Sequence, residues 1–293
     1  MKKLILRLML VAALFSALPA TVLAAPVLIP VGRVVGLELE DGTVTVVDFE
    51  QDSAARAAGI EAGDRLLSID GRQVTDTGDV RSILGRSQGS VQVTVRRGDE
   101  ICTLRVEPAI TRDGPKLGVF LRQGVTGIGT VTYWDPETGT FATLGHGVND
   151  RDGQLLKLRR GSIYGAKVAS VRRGKAGEPG QLMGALTQRD PLGTVSVITP
   201  QGVFGKGQLP WGGEPLPVCS ADEVRTGEAV ILSTVQGDTP REYSVEILKL
   251  YPASRHTGRN MLLRVTDPTL LETTGGIVQG MGVSYNKDNQ WNP

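Results

Sequence analysis

Between Val34 and about Pro108, short apolar runs alternate with turn residues: VVGLELEDG, TVTVVDF, AARAAGIEAGDRLLSIDG, DVRSILG, SVQVTVRRG and EICTLRVEP. Two-residue alternation in most of these runs predicts strands with one buried face, while the alanine-rich run and DVRSILG predict two short helices. Asp52 and Ser53 stand where an N-cap belongs, Gly59 where a left-handed residue ends the helix, and Asp79 at the start of the second helix. Gly63 and Asp64 turn the chain into a strand over 65–69, and Asp70-Gly71 signals a hairpin. After the connection ITRDGPKLG the pattern is β to the end, through GVFLR, GIGTVTYW, KVASVRR, GTVSVITP, EAVILSTV, EYSVEILKL and NMLLRVTD. Many short strands separated by glycine and proline turns suggest a barrel or sandwich, with no helix of ordinary length.

The first 25 residues follow neither pattern. Lys2, Lys3 and Arg7 precede the apolar run Leu8 to Leu18, and Val22, Leu23 and Ala24 form a small-residue cleavage pattern, so this segment is read as an export signal. Counted from Leu4 to Leu23, it is also long enough to stay as a membrane anchor. A chain of 293 residues suits two compact cores. With 32 basic against 31 acidic residues there is no charge excess to point to nucleic acid. His146 and His256, Cys102 and Cys219 show no ligand spacing, so neither metal nor cofactor is expected. The two cysteines fall in different parts of the chain and are expected to be buried free thiols.

Candidate chemistry lies in TFATLGHGVND around His146 and in RVTDPTLLETTGGIVQGM from Arg264 to Met281. A histidine between glycines, a later aspartate and then a glycine-rich turn follow the order His, Asp, Ser of one serine-protease arrangement. Imidazole is nearly neutral at working pH and can take a proton from a hydroxyl nucleophile, and small neighbours leave room for substrate. From the residues alone, His146 equally suits a hydrogen-bonding role at a strand end. Asp267, before Pro268, equally suits a cap or turn.

The segment SAARAAGIEAGDRLLSIDGRQV resembles the PDZ family as found in bacterial secreted proteases, and the likeness spans 34–108. It implies that Val35, Gly36, Leu37, Glu38 and Leu39 form the loop whose amides hold a peptide's terminal carboxylate while the ligand adds a strand. The groove's ligand could also be a segment of the chain's own second domain, and VGLELEDG read alone is a strand and hairpin turn. GIGTVTYWDPETGTFATLGHGVND with VTDPTLLETTGGIVQGM is similar to the sporulation stage IV protein B family of serine peptidases. That resemblance implies a mainly β chain: a PDZ domain, then a trypsin-like double β-barrel over 117–285, with His146 as general base and Asp267 as the acid orienting it. It also implies export into the space between the two membranes of a developing spore, and cleavage there of a membrane-associated regulatory protein that starts σ-factor activation.

Where the family continues after QGM with its nucleophilic serine, this chain reads Gly282, followed by Val283, Ser284 and Tyr285. Glycine has no oxygen to acylate, and Ser284, displaced by two residues, is a weak substitute. The polar run at 286–293 is expected to be a tail standing where further strands would close the second barrel, as a truncation or frameshift would leave it. Two functions follow: an inactive member of an exported endopeptidase family, or a secreted PDZ protein that binds a peptide without cutting it.

Overall fold

The computed structural model describes residues 27–150, 153–175, 177–251, 260–278, 281 and, for their backbone, 283–286. The expected export segment, His256 and Gly282 lie outside the described residues. The chain is mainly β. Its first part comprises β1 (Val27–Phe49), α1 (Ala54–Ala57), β2 (Arg65–Ile69), β3 (Arg72–Gln73), α2 (Thr77–Leu84), β4 (Val91–Arg97), β5 (Glu100–Val106), β6 (Ala109–Thr111) and β7 (Gly114–Lys116). Next come β8 (Val119–Trp134), β9 (Thr140–Thr143), β10 (Arg160–Arg172), β11 (Gln181–Thr199) and β12 (Gly202–Gly207). The remainder is β13 (Leu216–Pro217), β14 (Gly227–Ser233), β15 (Arg241–Leu250), β16 (Met261–Val265), α3 (Pro268–Thr274) and β17 (Val283–Asn286).

Local signals explain much of the first part. Ser53 caps α1 by accepting from the Arg56 amide at 3.1 Å, and Gly59 takes φ +91°. Asp70 and Gly71, both at positive φ, form the turn between β2 and β3. Asp79 does not open α2, as expected; Asp76 is the N-cap and Asp79 completes a capping box three residues in. Val91, Val93 and Val95 of β4 are buried while Gln92 and Arg96 alternate outward.

Two cores share the long strands β1 and β8. Val44 and Val46 pack with Ala55, Ile60, Leu66, Val80, Leu84, Val93 and Leu117. Nearer its start the same strand turns Val35, Leu37 and Leu39 into a second core with Val131, Phe141, Ile163 and Val203. Gly124, at φ +61°, lies where a Cβ would strike the backbone of Leu39 and Glu40, so glycine is required where β8 passes from one core to the other. Val35, Leu37 and Leu39 pack with the second core, whereas Leu117, Val119 and Leu121 pack with the first. GVFLR and GIGTVTYW, read as two strands, are one.

Strand pairings around the second core run β1, β10, β11, β12, β9, β8 and back to β1, closing a ring. A separate sheet, ordered β16-β15-β14-β17, is open among the described residues. Val283–Asn286 pairs with β14, placing Ser284 opposite Ile231, so the strand takes in Asn286, the first residue of the expected tail. Both cysteines are free, but they are half-buried rather than buried.

Candidate active site

β9 delivers the His146 loop. Thr143, fully buried, donates to the Thr130 carbonyl at 2.9 Å, and the Gly147 amide donates to Pro200 O at 3.0 Å, tying the loop to the turn between β11 and β12. A Cβ on Gly147 would lie 2.8 Å from Thr199 O, whereas one on Gly145 would meet open space. The loop therefore needs a glycine after His146 for packing, and the one before it leaves the imidazole's approach clear. His146 is exposed, with Nδ1 2.8 Å from its neighbour's carbonyl, Gly147 O. A carbonyl only accepts, so Nδ1 donates, and in the neutral imidazole this leaves Nε2 as the acceptor, the tautomer a general base requires.

The imidazole borders a cleft of about 200 Å³ walled by Leu37, Leu39, Val125, Leu144, Val148 and Leu182. Asp267 lies 121 residues after His146 in the sequence and just before α3. Its carboxylate caps α3, accepting from the Leu270 amide at 2.9 Å, with Pro268 at the first helical position. No hydrogen bond joins it to His146 among the described residues. The helix it caps packs toward the cleft wall: the Gly174 amide donates to Thr274 O at 2.9 Å, and Leu270, Val278 and Met281 share a core with Leu182 and Ile128. Burial pushes the Tyr243 phenol up; Arg241 opposes this and the Asp267 charge adds to it, so the carboxylate's field enters the same core. Val278 and Met281 of the glycine-rich run thus pack in the core that includes Leu182, and Gly282 lies outside the described residues.

Other nucleophile candidates fare poorly. Burial, then the Glu223 charge, push the Cys219 thiol up, which is the reverse of activation. Ser284 is held by its backbone in the β17 ladder.

The residues expected to bind a peptide terminus do not form a loop. Val35–Leu39 lie mid-strand in β1, paired on one edge with β10 and on the other with β8, so their backbone is committed to two ladders. A groove of the right kind lies elsewhere, about 530 Å³ between α2 and the start of β8, lined by Val80, Leu84, Leu117, Gly118, Val119 and Leu121. Over 119–123 one edge of β8 pairs with β1; β9 joins the other edge only from Val131, and no described strand fills the interval. Gly118 takes φ +71°, and a Cβ there would lie 2.9 Å from Ser53 Cα. The Leu117 and Gly118 carbonyls are pinned by the Ala55 and Glu50 amides at 3.0 Å each. A helix, a free strand edge and a glycine turn at its head form a peptide-adding groove. The signal was present as KLGVF, hidden because it follows the PDZ-like segment and reads as the next domain's first strand.

A PDZ module that shares strands with a β-rich module carrying a cleft-side histidine defines a PDZ-containing peptidase architecture. The chain matches the SpoIVB peptidase S55 family over residues 113–289, more than half of its length, and belongs to that family. Residues 34–107 match the PDZ domain family. A curated relative from Agrobacterium fabrum, named as a zinc metalloprotease, is 37% identical over 97 residues, covering 33% of this chain and 25% of its own. Serine protease HTRA1 of Xenopus laevis is 33% identical over 63 residues, covering 22% of this chain and 14% of its own. This chain thus spans a quarter or less of those relatives. Among solved structures, the PDZ domain of an SdrC-like protein from Listeria monocytogenes is similar at 24% identity and TM-score 0.24, covering 27% of this chain and 85% of that one.

Proposed function

We propose that this polypeptide is an exported member of the sporulation signalling peptidases in which the acyl-transfer centre lacks its nucleophile, so that it binds a protein substrate without cleaving it. The observation that carries this reading is the pairing of His146, in its base tautomer on an apolar cleft, with a run toward Gly282 that packs against that cleft's wall. In the mechanism, Nε2 of His146 would take the hydroxyl proton of a serine at position 282 as its oxygen bonds to the peptide carbonyl, and Asp267 would stabilise the imidazolium; that proton would pass to the leaving amine as the C–N bond breaks, and water, deprotonated by His146, would hydrolyse the acyl-enzyme. With glycine there, the first step has no oxygen to act on. The substrate is taken to be a membrane-associated regulatory protein in the space around a developing spore.

A fluorophosphonate probe, which labels activated serines, tests this. The chain as it stands is expected to remain unlabelled. Gly282→Ser should be labelled, and Gly282→Ser combined with His146→Ala should not. Labelling of the unaltered chain at Ser284, or no labelling of Gly282→Ser, overturns the reading. A second reading, a PDZ protein that captures a peptide end, is favoured by the open groove between α2 and β8, and is compatible with the first.

A further inference from the structure

We infer that the cleft beside His146 is a side-chain pocket that selects an apolar residue of an extended peptide, adjacent to the bond the centre would address; this deepens, and rests on, the peptidase reading. Among the residues lining the cleft, His146 alone is ionisable and Gln181 alone adds another polar side chain. A charged side chain entering it would give up water and find no countercharge on those walls, whereas an aliphatic one would exchange water for leucine and valine surface.

Leu144 shows that this wall is built at a cost. It adopts φ +63°, a conformation bulky residues rarely hold. Glycines make room around it: a Cβ on Gly129 would lie 2.7 Å from Leu144 Cδ2 and 3.0 Å from Leu37 Cδ1, and one on Gly202 would lie 2.8 Å from Leu144 O. The turn before His146 would accept glycine without strain, yet it holds leucine, whose side chain lines the pocket.

The occupant is a peptide rather than a compact molecule because the cleft continues. Leu37, Gly127, Ile128, Gln181 and Leu182 also line a neighbouring cavity of about 540 Å³ that runs on to Tyr164, Met183 and Leu186. Met183 and Leu186 are 47% and 58% exposed, leaving an apolar floor beyond the pocket. Together the two cavities form a trough, with the pocket at the imidazole end and Tyr164 donating to Glu38 at 2.8 Å at the far end. Gly127 sits where they meet, and a Cβ there meets nothing within 4 Å.

The test uses fluorescein-labelled peptides of sequence Ala-Ala-Ala-Xaa-Ala-Ala-Ala-Ala with an amidated C-terminus, which offers no carboxylate to the PDZ groove. Binding to the intact chain is read by anisotropy. The Leu peptide is expected to bind at least about tenfold more tightly than the Gly or Asp peptides, the scale on which apolar pockets discriminate. Gly127→Phe, which has room to fold, should reduce Leu-peptide affinity by a similar factor at an unchanged melting midpoint, and Leu144→Gly should erase the preference while freeing the backbone. Equal binding of the three peptides, or a Leu preference that survives Gly127→Phe, overturns the inference. The two proposals fail separately: labelling of Gly282→Ser without a Leu preference sinks the pocket alone, and a Leu preference without labelling sinks the peptidase reading alone.

Discussion

The two clefts of this molecule are built on the same strand and differ in what they demand of the chain. At the start of β8, the groove beside α2 needs a free strand edge, a helix flank and Gly118, all within the first core. Ten residues on, the His146 cleft draws on β1, β8, β11 and the loop after β9, and depends on a run after α3 that arrives from more than a hundred residues away. A binding groove made of backbone and aliphatic surface survives as long as its own core folds. A catalytic centre assembled from distant segments can lose one reacting atom while its walls remain. Under the proposed function, this contrast accounts for a chain that has Gly282 and still keeps an apolar cleft beside His146 and an open groove beside α2.

Because β1 and β8 run through both cores, the clefts should nonetheless stand or fall together, and the sharpest break is to attack the ring. Phe141→Ala, at a fully buried position of the second core, should cost about 3–5 kcal/mol. Urea unfolding followed by tryptophan emission, which reports on Trp134 and Trp211 against that core, should coincide with unfolding followed by backbone circular dichroism. Two separated transitions would show that the cores are independent.

Next is the ion pair that anchors the first core. Asp64, at 1% side-chain exposure, accepts from Arg97 Nε at 2.9 Å and Nη2 at 2.8 Å. Burial raises its pKa, but the Arg97 hydrogen bonds, the Glu61 amide and the Arg97 charge outweigh that and hold it below the usual carboxylate range. A depressed folded pKa contributes stability above the unfolded value of about 3.9, lost as pH falls through the folded one. Arg97→Ala should lower stability at neutral pH, because the buried Asp64 carboxylate would lose its countercharge. Its acid limb below about pH 4 should flatten, as denaturation across pH would show.

Gly118→Ala addresses one cleft only. Positive φ and the approach to Ser53 should cost about 1–3 kcal/mol and abolish binding of free-carboxylate peptides, with amidated peptides still held at the His146 trough. Loss of both would mean that the clefts are coupled through β8.

The smallest effect separates the two roles of Asp267. Asp267→Ala should lose about 1 kcal/mol as an N-cap, while Asp267→Asn keeps the cap and its stability. Introduced into Gly282→Ser, Asp267→Asn should nevertheless abolish fluorophosphonate labelling if the carboxylate stabilises the His146 imidazolium. Full labelling would leave Asp267 with the cap alone.

Local patterning alone identified the capped α1 helix, the turn at Asp70-Gly71, the alternation of β4 and the β character of the second part, because caps, turns and alternation act over a few residues. The roles expected of His146 and Asp267 came instead from the family resemblance, since each residue alone suits a strand end or a cap equally well. Tertiary structure decided the rest. Val35–Leu39 read as a carboxylate loop, yet β10 and β8 claim both of their edges; Leu117–Leu121 read as the next domain, yet their side chains complete the first core. Strand edges are contested by partners far away in sequence, so which edge stays open for a ligand is settled only when every ladder is in place.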